Sequence, residues 1–304
     1  MTLNDIWSDF SGRMAEIELM QRATKSSAQE EMKTLNQFYE QFSNNPELRD
    51  ASVSIHNMMF KNARSGRTTS YQHKEQSIED RQLGVLLRKN RQYQWLLAEA
   101  YEEFEDFLHL LYAYCGYSDP NFWPLADYGK IKLADMASMR FQWHLNQSNG
   151  KKGAPRSILQ AFRQAFPLLP GAETKNHIQL NLAFAIIVIE KLRHIIVHNA
   201  GKTSGREAFI ELVAKDAGVL NNGKVAEEHR DFIAQFFGED QYANMVALLE
   251  VRVRPELPFG VHVCRFGILS GILMSYAHLL VEMVTVYVHP RESQLCPSRN
   301  KEIC

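Results

Sequence analysis

Residues 176–201, NHIQLNLAFAIIVIEKLRHIIVHNAG, decide the fold. Ile178, Leu182, Ala185, Ile186 and Ile189 recur at helical spacing, and Ala183, Phe184, Ile187 and Val188 fill the other sides. The spacing therefore predicts a helix buried nearly all round, which needs further helices packed about it. Its last turns bring Glu190, Lys191, Arg193, His194, His198 and Asn199 together just before Gly201 offers a helix stop. Charged groups at the end of a buried helix mark a candidate site.

Outward from this segment the chain reads as helical. Residues 78–116 predict a long helix with Leu97, Ala100, Phe104, Phe107, Leu108 and Leu111 on one stripe, a natural partner for the 176–200 helix. Its acidic face carries Glu99, Glu102, Glu103, Glu105 and Asp106. One use of such an acid is to orient Arg193 across the bundle; a solvated face is the commoner one. The prolines and glycine of YSDPNFWPLADYG separate it from a helix near 130–147, and Pro155 sits as at the start of a helix over 155–166.

Beyond Gly201, REAFIELVAKDAG and AEEHRDFIAQFF predict short helices, with an Asn-Gly turn in LNNGKV between them and a short strand in MVALLEVRVRP. Any sheet is minor, at most a hairpin near 219–254. Residues 259–288 form an apolar run interrupted by His262, Arg265, His278 and Glu282. Its longest uncharged part falls short of the ~20 residues that span a bilayer, so the expectation is a bundle helix and no membrane.

Residues 1–75 predict a separate N-terminal region: one helix through Ile6, Phe10, Met14, Ile17 and Met20, a second through MKTLNQFYEQF, then a linker or exposed loop over KNARSGRTTSYQHKEQS. Residues 76–289 are then the bundle and 290–304 a mobile tail.

Composition is that of a soluble globular protein, with 45% hydrophobic and 23% charged residues. The formal net charge of −1 supplies no global attraction to nucleic acid, so any such site must be a local patch. Cys115, Cys264, Cys296 and Cys304 are scattered, which reads as reduced thiols in a cytoplasmic protein. The N-terminus has no signal pattern.

Arg193, Ile195–Val197 and His198 have the form R-x4-H, with polar His194 after the arginine and Asn199 after the histidine. This resembles the signature of the HEPN family of helical-bundle proteins, many of them metal-independent ribonucleases of toxin, antiviral and RNA-processing systems. The resemblance implies an all-α HEPN-like bundle, no cofactor, and a homodimer in which two copies of the motif face one cleft at the interface. Its substrate would be RNA, with a 2′,3′-cyclic phosphate and a 5′-OH as products. A regulatory protein partner, as in toxin–antitoxin pairs, is compatible. Some members continue as H-x-Y, with a tyrosine that a partner nucleotidyltransferase modifies; here the position is Ala200.

The chemistry stands on its own terms. A histidine with a pKa near about 6.5 serves as acid or base at neutral pH, and an arginine grips a phosphate through two parallel hydrogen bonds. The assignments are His198 as general acid/base, Arg193 as phosphate clamp, His194 as support or second proton-transfer group, and Asn199 as the group that holds the ribose or orients His198. Lys151, Lys152, Arg156, Lys202 and Arg206 are the candidate RNA-binding cations, with Trp143 and Phe162 available for stacking. Five residues turn an ideal helix by roughly 140°, so Arg193 and His198 do not share a stripe. Two rival readings remain. Arginine and histidine in a last helical turn also serve as capping and packing residues, which leaves a non-catalytic module binding RNA or protein. Glu190, His194 and His198 at i, i+4, i+8 have the spacing of a metal site, without a second half-site elsewhere.

Overall fold

The computed structural model describes residues 1–43, 45, 53–136, 138–151, 153–254, 256 and 260–288. It is mostly α, 66% helical, and its strands form only two-stranded antiparallel pairs. The chain divides into two compact units, residues 1–18 with 94–304, and residues 19–93. This division differs from a boundary at 75/76: the first turns of the N-terminal helix fall in the first unit, and the start of the 78–116 helix in the second.

Residues 19–93 hold the remainder of α1 (Leu3–Ser43), the strands β1 (Ser54–Lys61) and β2 (Thr68–Gln76), and the start of α2 (Ile78–Ser118). Two helices predicted in the first 43 residues are one, because residues 21–31 contain no proline or glycine to interrupt the ladder. The helical arms run antiparallel. Arg88 pairs with Glu31 at 2.6 Å, Gln82 donates to Asn36 Oδ1 at 2.7 Å, and buried Gln21 donates to the Tyr93 hydroxyl at 2.6 Å. Between the arms lies a small core of Leu35, Ile78 and Val85. The predicted linker is instead the β1–β2 hairpin. Nearly all its side chains are exposed, so it lacks the period-two apolar signal by which a half-buried strand is recognised.

The larger unit is built on α2 beyond Gln94. Leu97, Ala100, Phe104, Phe107, Leu108 and Leu111 are all buried, as their stripe predicts. The first turns of α1 pack onto it, with the Phe10 ring 4.8 Å from that of Phe107. The bundle continues through α3 (Leu133–Met136), α4 (Phe141–Ser148), α5 (Pro155–Ala165), α6 (Leu169–Thr174) and α7 (Leu182–Asn199). It ends with α8 (Arg206–Asp216), α9 (Glu227–Ala234) and α10 (Arg265–Val288). The single helix expected near 130–147 is split into α3 and α4. The short pairs β3–β4 (Leu220–Asn221, Lys224–Val225) and β5–β6 (Glu250–Arg252, His262–Cys264) supply the minor sheet.

The central helix starts later than its sequence periodicity suggests. Asn176 donates from its side chain to the carbonyls of Ala172 and Leu180 and accepts from Leu180 N, fixing residues 176–180 as a turn in which Gln179 takes a positive φ of 54°. Ile178 is consequently exposed, and Asn181 caps the helix by accepting from Phe184 N at 3.0 Å. At the far end Ala200 and Gly201 take left-handed φ values of 55° and 74°. Gly201 O then accepts from Val246 N at 2.8 Å, and Gln94 on α2 donates to Val246 O at 2.7 Å. The chain passes so close to Gln94 that a Cβ on Gly201 would lie 2.6 Å from its amide.

Against α7 pack α6 and α10. Buried Glu173 of α6 accepts two bonds from Arg163 Nε, at 3.0 and 2.9 Å, and one from the Tyr276 hydroxyl of α10. By length and composition α10 is apolar enough to cross a membrane, while its stripe through Leu269, Leu273, Tyr276 and Leu280 is buried in the bundle. The 290–304 tail, with Cys296 and Cys304, lies outside the described residues.

Candidate functional site

The last turns of α7 present their polar groups in different directions. Arg193 is partly buried and points toward α2, where its Nη2 donates to Glu102 Oε1 at 2.8 Å. Its Nε is buried without a hydrogen-bond partner among the described residues. His194 and His198 are exposed, with ring centroids 4.6 Å apart. Neither imidazole is hydrogen-bonded to another described residue. Asn199 is exposed, and its carbonyl accepts from Lys202 N at 3.0 Å. The rotation expected of an ideal helix is thus preserved, and Arg193 and His198 occupy separate sides of the helix end.

Glu190 faces another way again. Arg156 donates to both of its carboxylate oxygens, Nε to Oε2 at 2.8 Å and Nη2 to Oε1 at 2.9 Å. That fork draws Glu190 to α5, so the rival i, i+4, i+8 metal group is not assembled among the described residues. Among the described residues no three His, Cys, Asp or Glu side chains are grouped to hold a metal ion.

A cleft opens where α2, α7 and the approach to α5 meet. One lobe, about 510 Å³, is lined by Tyr101, Glu105, Gly153–Ser157, Glu190, Lys191, Arg193 and His194. The neighbouring lobe, about 370 Å³, shares Glu105, Gly153, Pro155 and Arg193 and adds Glu102, Asp106, His109 and Lys151. Arg193 stands between the lobes and His194 at one margin; His198 lines neither.

The expected RNA-binding cations are only partly gathered here. Lys151 and Arg156 reach the cleft, but each is already matched by acid: Lys151 lies 3.1 Å from Asp127, and Arg156 is held by Glu190. Lys191 likewise pairs with Asp216 at 2.6 Å, which holds that carboxyl below its usual range. Lys202 and Arg206 line neither lobe, and Arg206 lies 3.8 Å from Glu207. Lys152 falls outside the described residues. Phe162 is fully buried against Phe122 and Phe166, so it is a core residue and no stacking platform.

Among the α2 side chains that line the cleft, Tyr101 and His109 were not singled out from sequence, and Glu105 only as one of an acidic face. Tyr101 is 1% exposed, and its hydroxyl has no hydrogen-bond partner among the described residues. Burial first, then the nearby Glu190 and Glu105 carboxylates, push its pKa well above the ordinary tyrosine range. Glu105 is held above the usual carboxylate range by burial, against the opposing pull of Arg193. His109 is buried, with Nε2 2.8 Å from Ser148 Oγ. Ser148 gives its own proton to Leu145 O at 2.8 Å, so the ring nitrogen is the donor in the first contact. The i, i+4, i+8 spacing of 101, 105 and 109 along α2 carries this cluster, masked in the sequence by the surrounding acidic run. No protein-family model, curated protein or solved structure matches this chain.

Proposed function

We propose that the protein is a metal-independent endoribonuclease of HEPN type, acting as a homodimer. The observation that carries the reading is the end of α7: an arginine in the wall of an open cleft, and two adjacent histidines exposed on the same helix without hydrogen bonds to other described residues. Both rings are exposed, so a substrate can reach them without displacing an intramolecular partner. In the mechanism, a histidine of the pair takes the ribose 2′ proton, the freed oxygen attacks the adjacent phosphorus, and the 5′ oxygen leaves with a proton from a second histidine. Arg193 neutralises the charge gathering on the non-bridging oxygens. The products are a 2′,3′-cyclic phosphate and a 5′-OH, and atoms balance without water.

Arg193 and His198 diverge within one chain, which favours a site completed by a second copy. Mixing an Arg193→Ala preparation with a His198→Ala preparation tests this. A shared site containing residues from both chains regains part of the native activity in mixed dimers, whereas a site confined to one chain does not. A non-catalytic module binding RNA or protein is the second reading. The pairing of Lys151 and Arg156 with carboxylates favours it, because an incoming phosphate must displace those acids.

A further inference from the structure

The β1–β2 hairpin has no role in the candidate site and contributes no residue to the small core of its own unit. A two-stranded ribbon left uncovered is marginal in water, so its composition calls for an account. Residues 60–71 carry Lys61, Arg64 and Arg67 and no carboxylate, in a chain of formal net charge −1. All three cations are exposed, and none enters an ion pair among the described residues. Phe60 and Tyr71 lie beside them, 47% and 64% exposed, with ring centroids 6.2 Å apart.

The tip is also well built. Asn62 N donates to Arg67 O and Asn62 O accepts from Gly66 N, both at 2.9 Å. The Asn62 side chain accepts from Arg64 N and Ser65 N, both at 3.0 Å, and Gly66 supplies the left-handed φ of 67° that closes the loop. Register shifts between Met58 and Met59, where the opposite strand carries Tyr71 as an extra residue, a bulge that re-aims side chains. Cations and rings are therefore presented on a fixed frame.

We propose that this tip binds a single-stranded nucleic acid, with Lys61, Arg64 and Arg67 on phosphates and Phe60 and Tyr71 stacking on bases. Unpaired bases offer faces to aromatic rings, and the phosphates between them meet the cations. An anionic membrane fits less well, since the loop itself, NARSGR, has only Ala63 to insert. The proposal does not depend on cleavage.

The test is fluorescence anisotropy of the full-length protein with 20-nucleotide probes, one 2′-O-methyl RNA, which has no free 2′-OH to attack, and one DNA. Binding of either probe is expected, and RNA alone would tie the tip to the endoribonuclease reading. An Arg64→Glu/Arg67→Glu variant is expected to bind at least tenfold more weakly, with the log–log salt slope smaller by about 1.4, or ~0.7 per lost phosphate contact. A Phe60→Ala/Tyr71→Ala variant should lose roughly thirtyfold or more with an unchanged slope. Far-ultraviolet dichroism and melting show that both remain folded. Failure of the native protein to bind either probe overturns the proposal, as does native-like binding by both variants. Capture of phosphatidylserine vesicles without either oligonucleotide overturns it in favour of a membrane.

Discussion

Arg193 on α7 is tied across the bundle to Glu102 on α2, its Nη2 2.8 Å from Glu102 Oε1, with the arginine side chain 26% exposed and the glutamate 59%. An ion pair this open contributes less than about 1 kcal/mol to stability. Its consequence is orientation: it holds the guanidinium in the cleft wall. Glu102→Gln is therefore expected to leave the urea midpoint nearly unchanged while lowering kcat/KM for RNA about tenfold, from the loosened position of the clamp. Equal activity with equal stability would deny Glu102 the positioning role.

Tyr101→Phe should stabilise the protein. The hydroxyl is buried and unpaired, so removing it relieves a desolvation penalty of about 1 kcal/mol while the ring keeps its packing. Chemical denaturation reads this directly, and a loss of stability would show that the hydroxyl has a partner in solution.

Glu105 gives a pH signature. Its carboxyl is held above the ordinary value of 4.5 by burial, so the folded protein binds that proton more tightly than the unfolded chain does. Its contribution is present below the unfolded value and is lost as pH rises through the folded one, leaving an ionised, partly buried group at neutrality. Glu105→Gln should accordingly raise stability at pH 7, and the gain should vanish below about pH 4. Denaturation midpoints of the two proteins across pH 3–8 provide the check; a constant difference would contradict the burial account.

Gly201→Ala should cost about 2 kcal/mol or more, because it combines a left-handed backbone with a Cβ 2.6 Å from the Gln94 amide that donates to Val246 O. Thermal melting measures it, and a neutral result would mean that Gln94 yields without losing its bond.

The reach of sequence reasoning follows from where apolar periodicity exists. The stripe from Leu97 to Leu111 and the apolar body of α7 declare their burial through helical spacing, and the bundle follows from them. The turn at 176–181 is invisible to that signal, because Asn176 sets it by side-chain bonds while Ile178 and Leu182 still fall at helical spacing. The β1–β2 hairpin is missed because solvent on both faces removes any alternation. At the site, the polar groups ending α7 and the acidic face that meets Arg193 were recognisable in sequence, but the individual partners across the bundle were not. Glu102 and Tyr101 depend on the register between α2 and α7, and a one-dimensional acidic run does not disclose which acid meets Arg193.

The central claim is tested most directly by incubating the purified full-length protein with a pool of single-stranded and structured RNA in excess EDTA, beside folded Arg193→Ala and His198→Ala variants. The account predicts cleavage that survives EDTA, leaves 2′,3′-cyclic phosphate ends and is lost in both variants. Cleavage that needs a divalent metal, or that persists in either variant, would contradict it.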